Sequence, residues 1–242
     1  SFDLELKERL NEFNKKCFPN PEFKNKVRKG EIEEEKYGEE KLKQFLKENE
    51  RFFIKNGTKD KTILLDEKDM GKFLSRWFSK RVRQELFHYI RLIDKEKDEK
   101  VQNIMRIILS RAARSCRATT HYDLATLREP QTKPYYCGKH KKICTPINTI
   151  KRHLRRYTHD TINRLGEFSK LKKKVFSGVI HADSRETDIF DEIKKQNIEF
   201  YELLLKKKID GVFTSPPYVG QIDYNEQHAY DYELFAIPRK DE

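Results

Sequence analysis

Nowhere in this sequence do apolar residues run unbroken for anything near the roughly 18 positions that a membrane span requires. The N-terminus also lacks a basic stretch followed by an apolar core, the pattern of a secretory leader. Both absences lead to the expectation of a soluble, cytoplasmic protein with no membrane partner. Cysteine is scarce, with 4 in 242 residues, which excludes a disulfide framework and suits a reducing compartment. Glycine is scarce too, and its 9 residues never form a Gly-x-Gly arrangement. No internal repeat is visible. The most telling shortage is of acidic residues in one region. Between Lys100 and Lys174 there are 4 Asp and Glu against 19 Lys and Arg, an excess of 15 in a chain whose total is +12. The remainder is therefore net negative by 3. A scattered, solvated surface does not segregate charge in this way, so an anionic partner is implied, nucleic acid first. A basic surface without a ligand is the plain alternative.

What is present supports one large domain or two small ones. Residues 2–56 are dense in Lys and Glu but carry an apolar stripe at Leu42, Phe45, Leu46 and Phe52, so charged helices and loops are expected there. Leu74, Trp77, Phe78, Val82, Leu86, Tyr89, Ile90 and Ile93 recur at helical spacing and predict a helix. After a charged connector over 94–100, Val101, Ile104, Ile108 and Ala112 predict a second helix ending near Arg114. Residues 117–146 break the pattern, punctuated by Pro130, Pro134, Gly138 and Pro146. A third helix is expected from about Asn148. Its apolar face would be Ile150, Leu154, Tyr157, Thr161, Leu165 and Phe168, with Arg152, Arg155, Arg156 and Lys170 pointing elsewhere.

Beyond Lys174 the texture changes. Residues 175–180 read as a buried strand, 189–205 as a helix and 211–213 as a strand again. Strand, helix, strand over about 40 residues is a βαβ unit of a parallel α/β sheet. Functional groups in such sheets gather at the carboxyl ends of the strands, where Asp183 and Ser215 would both fall. The second strand runs into Thr214-Ser215-Pro216-Pro217-Tyr218. Two prolines cannot donate backbone hydrogen bonds and hold φ near about −65°, so the strand stops and its carbonyls stay free to accept. A hydroxyl and free carbonyls beside an aromatic face suit the edge and face of a planar base bearing an exocyclic amine.

This run resembles the catalytic motif of amino-group DNA methyltransferases, which methylate N4 of cytosine or N6 of adenine. The resemblance continues through Val219-Gly220-Gln221-Ile222-Asp223-Tyr224 and His228-Ala229-Tyr230-Asp231-Tyr232-Glu233-Leu234-Phe235, as in one branch of that family. It implies a Rossmann-like methyltransferase sheet, S-adenosylmethionine as methyl donor and double-stranded DNA as partner, in a restriction-modification setting. An amino group on such a ring is a poor nucleophile, because its lone pair is delocalised. By the resemblance, Ser215 and the Pro216 carbonyl would hold the amine hydrogens, with Pro217 completing the turn. Tyr218 would stack on a base flipped out of the duplex. Transfer from a sulfonium is a direct displacement, so positioning supplies most of the catalysis. Family members acting on adenine more often carry Asp or Asn where this chain has Ser215, which tilts the target toward cytosine. His181-Ala182-Asp183-Ser184-Arg185 resembles the element at the end of the preceding strand, where an acidic residue faces the cofactor's adenine. Asp183 would take that role, with Ser184 and Thr214 on the cofactor side. Asp183 could equally cap a helix beginning near Glu186.

The family's Gly-x-Gly cofactor loop is missing from these 242 residues. The reading is thus an incomplete piece of the enzyme, inactive alone, with the glycine-loop segment supplied by the same or another chain. Residues 1–100 form a charged helical region, 101–174 a basic helical insert suited to DNA, and 175–242 part of the catalytic α/β domain. The alternative is a non-catalytic DNA-binding module with vestigial methyltransferase strands; RNA is a weaker option for the substrate. Separately, Cys137, His140 and Cys144 have a spacing that a metal could use, with Cys116 or His121 as a fourth ligand. That spacing departs from a paired C-x-x-C pattern, and no metal ligand is assigned from sequence.

Overall fold

Several helices begin where a short polar side chain takes up backbone N–H groups that the first turn leaves without partners. Asp98 accepts from the N–H groups of Lys100 and Val101, and Asp188 from those of Phe190 and Asp191. The computed structural model describes residues 2–54, 72–121, 129–147, 149–171, 173, 175–183, 185–207, 209–214 and 224–238. They fall into two units, one of residues 1–161 with 222–242, the other of residues 162–221.

In the first unit, α1 (Phe2–Cys17), α2 (Glu22–Arg28), α3 (Glu34–Glu48) and α4 (Arg51–Ile54) bear out the charged helices expected at the N-terminus. The long helix expected from Leu74 to Ile93 is two helices, α5 (Lys72–Trp77) and α6 (Lys80–Ile93). Ser79 causes the break. Its backbone is extended, and its hydroxyl accepts from Val82 N–H, restarting the helix. The second expected helix is α7 (Glu99–Cys116). In the segment that broke the helical pattern, β1 (Tyr135–Cys137) pairs antiparallel with β2 (Lys142–Cys144), Tyr136 opposite Ile143. The third helix, α8 (Lys151–Leu171), starts just after the buried Ile150.

Among the described residues, two large hydrophobic cores hold this unit. One gathers Leu74, Val82, Leu86, Leu109, Ile150 and Tyr230, joining α5–α7 to α11 (Tyr224–Gln227) and α12 (Ala229–Leu234) through the buried face of α12. The other gathers Phe13, Phe18, Phe23, Phe45 and Ile143, seating the hairpin on α1–α3. Each fully buried side chain of this size contributes about 1.5–3 kcal/mol. Asn14 fastens the hairpin, its side-chain amide donating to the Ile143 carbonyl at 2.9 Å and accepting from Ile143 N–H at 3.0 Å. Gly38 of α3 lies flat against the Tyr136 ring, and a Cβ built there would sit 2.5 Å from ring Cγ. At an open helical site Ala is favoured over Gly by about 1 kcal/mol. Here the sign reverses. Gly38→Ala should lower unfolding stability by about 1–3 kcal/mol in a urea titration, and a stabilised variant would refute this packing role.

In the second unit, the helix expected over 189–205 forms as α9 (Ile189–Gln196) and α10 (Ile198–Lys206). They meet at Asn197, whose extended backbone ends the first and whose side chain caps Phe200 N–H of the second. Phe176 stacks on Phe200 at 5.5 Å, and Gln196 donates to the Val179 carbonyl. The strands expected at 175–180 and 211–213 are not formed among the described residues, where β1–β2 is the only sheet. Both segments lack regular secondary structure, and most of their apolar side chains are exposed, Val179 at 87% and Val212 at 86%. A parallel strand depends on neighbours for its backbone hydrogen bonds and for cover on both faces, and an apolar run specifies one only where they are in place. Leu165 and Phe168, expected on the buried face of α8, are likewise exposed.

Candidate functional site

Of the residues that the motif singles out, Thr214 lies in the irregular segment 209–214 and is exposed. Ser184, Ser215, Pro216, Pro217 and Tyr218 lie outside the described residues. Asp183 shapes a turn. Its Oδ1 accepts from Arg185 N–H at 3.0 Å, its carboxylate is clasped by the Arg185 guanidinium, and its carbonyl accepts from Glu186 and Thr187. The cap expected of it belongs instead to Asp188, because the helix begins at Ile189 and not near Glu186. Asp183 and Thr214 are not carried on paired strands among the described residues.

The second half of the motif sits within the helical core of the first unit. Tyr230 is buried against Phe73 and Phe78, with the Arg117 guanidinium 5.7 Å from its ring centre. Burial, with Asp231 next in effect, pushes the Tyr230 phenol up to about 12. Asp231 accepts from the Ser110 hydroxyl at 2.9 Å. Glu233 accepts from Phe73 N–H and Leu74 N–H at 2.8 Å each, taking up the first turn of α5. Beside them a cleft is lined by Phe73, Arg76, Trp77, Glu226, Tyr232 and Ile237. The His228–Phe235 stretch is thus a packing element, which residue types alone did not reveal.

Part of the basic excess lies on α8. Arg111 holds Asp160 and Thr161, and Ser115 meets the Tyr157 hydroxyl at 2.7 Å, so one side of the helix is taken by α7. Lys151, Arg152, Arg155 and Arg156 remain exposed, following one another at helical spacing along the opposite side.

The hairpin carries a cluster that sequence left unassigned. His121, Cys137, His140 and Cys144 bring their ligand atoms within 4.8 Å of one another. Strand pairing sets Cys137 and Cys144 near each other, and a tight turn with Lys141 at positive φ brings His140 back, its N–H on the Cys137 carbonyl at 3.1 Å. His121 arrives from the segment after α7, held by the Tyr135 hydroxyl 2.8 Å from its Nδ1. Burial, then the nearby His140 and lysines, lowers the His121 pKa, and burial, then Lys142 and Lys139, that of His140. Both shifts favour the neutral imidazole, the form that can bind a metal. Burial, then Cys137, pushes the Cys144 thiol up to about 12. The fourth member is His121 and not Cys116, which faces the helical core from α7.

Along its whole length the chain is 50% identical to the Type II methyltransferase M.MjaII of Methanocaldococcus jannaschii, over 244 aligned residues. That alignment covers 45% of the relative, so the chain spans about half the length of the protein it matches. No family model and no solved structure matches the chain.

Proposed function

We propose that this chain is part of an S-adenosylmethionine-dependent DNA methyltransferase acting on an exocyclic amino group, cytosine N4 in preference to adenine N6. The observation that carries this reading is the 50% identity to a Type II methyltransferase across the whole chain. The Thr214–Tyr218 run, in a chain with 19 Lys and Arg over residues 100–174, gives it its chemical content. Ser215 and the Pro216 carbonyl accept the two hydrogens of the target amine, so that its lone pair turns outward. Tyr218 stacks on the flipped base, and the exposed arginines of α8 bind phosphates, with affinity falling steeply as salt rises. The donor supplies an electrophilic methyl group on sulfonium when bound. Asp183 is assigned to the donor's adenine amine by the resemblance, with its Oδ1 held by the Arg185 backbone N–H. Ser184 and Thr214 are assigned to the same cofactor side by the resemblance. The exposed apolar residues of segments 175–180 and 209–214 are the faces on which the remaining strands of the catalytic sheet pack, including the glycine-loop segment, from the same or another chain.

The test is transfer of tritiated methyl groups to DNA by the full-length protein, followed by nucleoside analysis of the product. N4-methylcytosine is expected. Ser215→Ala with Tyr218→Ala should reduce transfer by about 10²-fold or more at an unchanged melting temperature. Label persisting at the wild-type rate in that double variant would remove these residues from the chemistry.

A further inference from the structure

We propose that His121, Cys137, His140 and Cys144 form a tetrahedral site for a zinc ion. Zinc bonds to sulfur at about 2.3 Å and to imidazole nitrogen at about 2.0–2.1 Å, which sets each sulfur–nitrogen edge of a tetrahedron at about 3.5 Å. The separations found here are 3.5 Å from Cys137 Sγ to His121 Nδ1, 3.6 Å from Cys137 Sγ to His140 Nδ1, and 3.5 Å from Cys144 Sγ to His140 Nδ1. Three independent edges therefore have the length that one small cation would impose. A sulfur–nitrogen hydrogen bond accounts for one such distance. It does not account for three converging edges among four side chains from two separate segments.

The donor set selects the metal. Two thiolates and two neutral imidazoles suit zinc, whereas calcium and magnesium take oxygen ligands. Two thiolates also balance the charge of the dication, in a neighbourhood where Lys139, Lys141 and Lys142 supply no anion. Four protein ligands leave no open position for water, so the ion is structural. A cation on His121 Nδ1 takes the lone pair that the Tyr135 hydroxyl otherwise meets. That hydroxyl keeps a partner, because it also accepts from His121 N–H at 3.2 Å.

The position of the ligands shows what the ion would hold. His121 follows Ala118, whose N–H is fixed on the Trp77 carbonyl at 2.7 Å, so it belongs to the core of α5–α7. The hairpin belongs to the other core, through Ile143 and the Asn14 amide. Tyr135, Cys137 and Cys144 form a small cluster of their own. A zinc ion there ties the two cores across a segment with little apolar material.

The experiment is metal analysis of the protein purified anaerobically without chelator, with cobalt substitution read by absorption. About one equivalent of zinc is expected, together with the strong visible bands of tetrahedral cobalt bound to thiolate. Cys137→Ser and Cys144→Ser should each lose most of the metal, and Cys116→Ala should keep it. Stripping the ion should lower the melting temperature by at least about 10 °C, restored by added zinc. If the serine variants do not fold, His140→Ala carries the same reading on the more exposed ligand. Less than a tenth of an equivalent of zinc without cobalt bands overturns the proposal, as does a Cys137–Cys144 disulfide in the anaerobic protein.

Discussion

Tyr230→Ala is expected to cost about 3–5 kcal/mol of folding stability, the range for removing a large aromatic side chain from a filled core. The ring is 1% exposed and lies between Phe73, Phe78 and the Arg117 guanidinium, which is itself buried. Removing it opens a cavity and strips a cation–π partner from a charge that has little access to water. Urea denaturation followed by circular dichroism measures the loss. Tyr230→Phe keeps the ring and should cost only about 1 kcal/mol, the net value of a hydroxyl hydrogen bond. Near-equal midpoints for Tyr230→Ala and wild type would show that this ring does not organise the core. The result separates two parts of the methyltransferase-like motif. A Tyr230 variant is expected to act through the fold, whereas under the proposed function a Ser215 variant would act through the chemistry alone.

Glu233→Ala is the second large effect, at about 2–4 kcal/mol. The carboxylate receives two backbone N–H groups, from Phe73 and Leu74, each at 2.8 Å. Hydrogen bonds to a charged acceptor contribute about 1.5–3 kcal/mol each, and a half-buried donor left without a partner adds its desolvation cost. The negative charge also faces the positive end of α5. Glu233→Gln retains one acceptor oxygen and turns an amide N–H toward the second donor, so its loss should fall between alanine and wild type. Thermal melts of the three proteins rank them, and a Gln variant no more stable than Ala would mean that the site is held by shape alone. The contact joins residues 160 positions apart, so its loss should also speed hydrogen exchange at Phe73 and Leu74.

The helices were legible because their apolar residues recur on one side, and α6 and α7 follow that periodicity closely. Their interruptions were not. Ser79 and Asn197 restart helices by capping N–H groups three residues on, a local hydrogen bond that overrides an otherwise continuous apolar stripe. The strands at 175–180 and 211–213 failed for a different reason. Val and Phe favour a pleated surface only when other strands complete it, and segment composition cannot say whether they do. The metal cluster was half legible. Cys137, His140 and Cys144 stand within eight residues of one another, but the choice between Cys116 and His121 depended on which way the chain left α7. Cys116 closes the buried face of that helix, and the irregular residues after Arg117 carry His121 toward the hairpin. Asp183 remained a turn former, because its carboxylate has Arg185 two residues away.

The Asn14 amide has a consequence for how the protein behaves in a crowded solution. A two-stranded ribbon presents N–H and C=O groups along its outer edges, and such edges recruit strands from other molecules. On β2, Ile143 turns both of its backbone groups outward, away from Tyr136. A single side-chain amide meets both of them, donating to one and accepting the other, as a third strand would. One residue of a helix thus acts as a plug on the β2 edge at the place where a foreign strand would dock, and that position is closed to intermolecular β-pairing without a further strand.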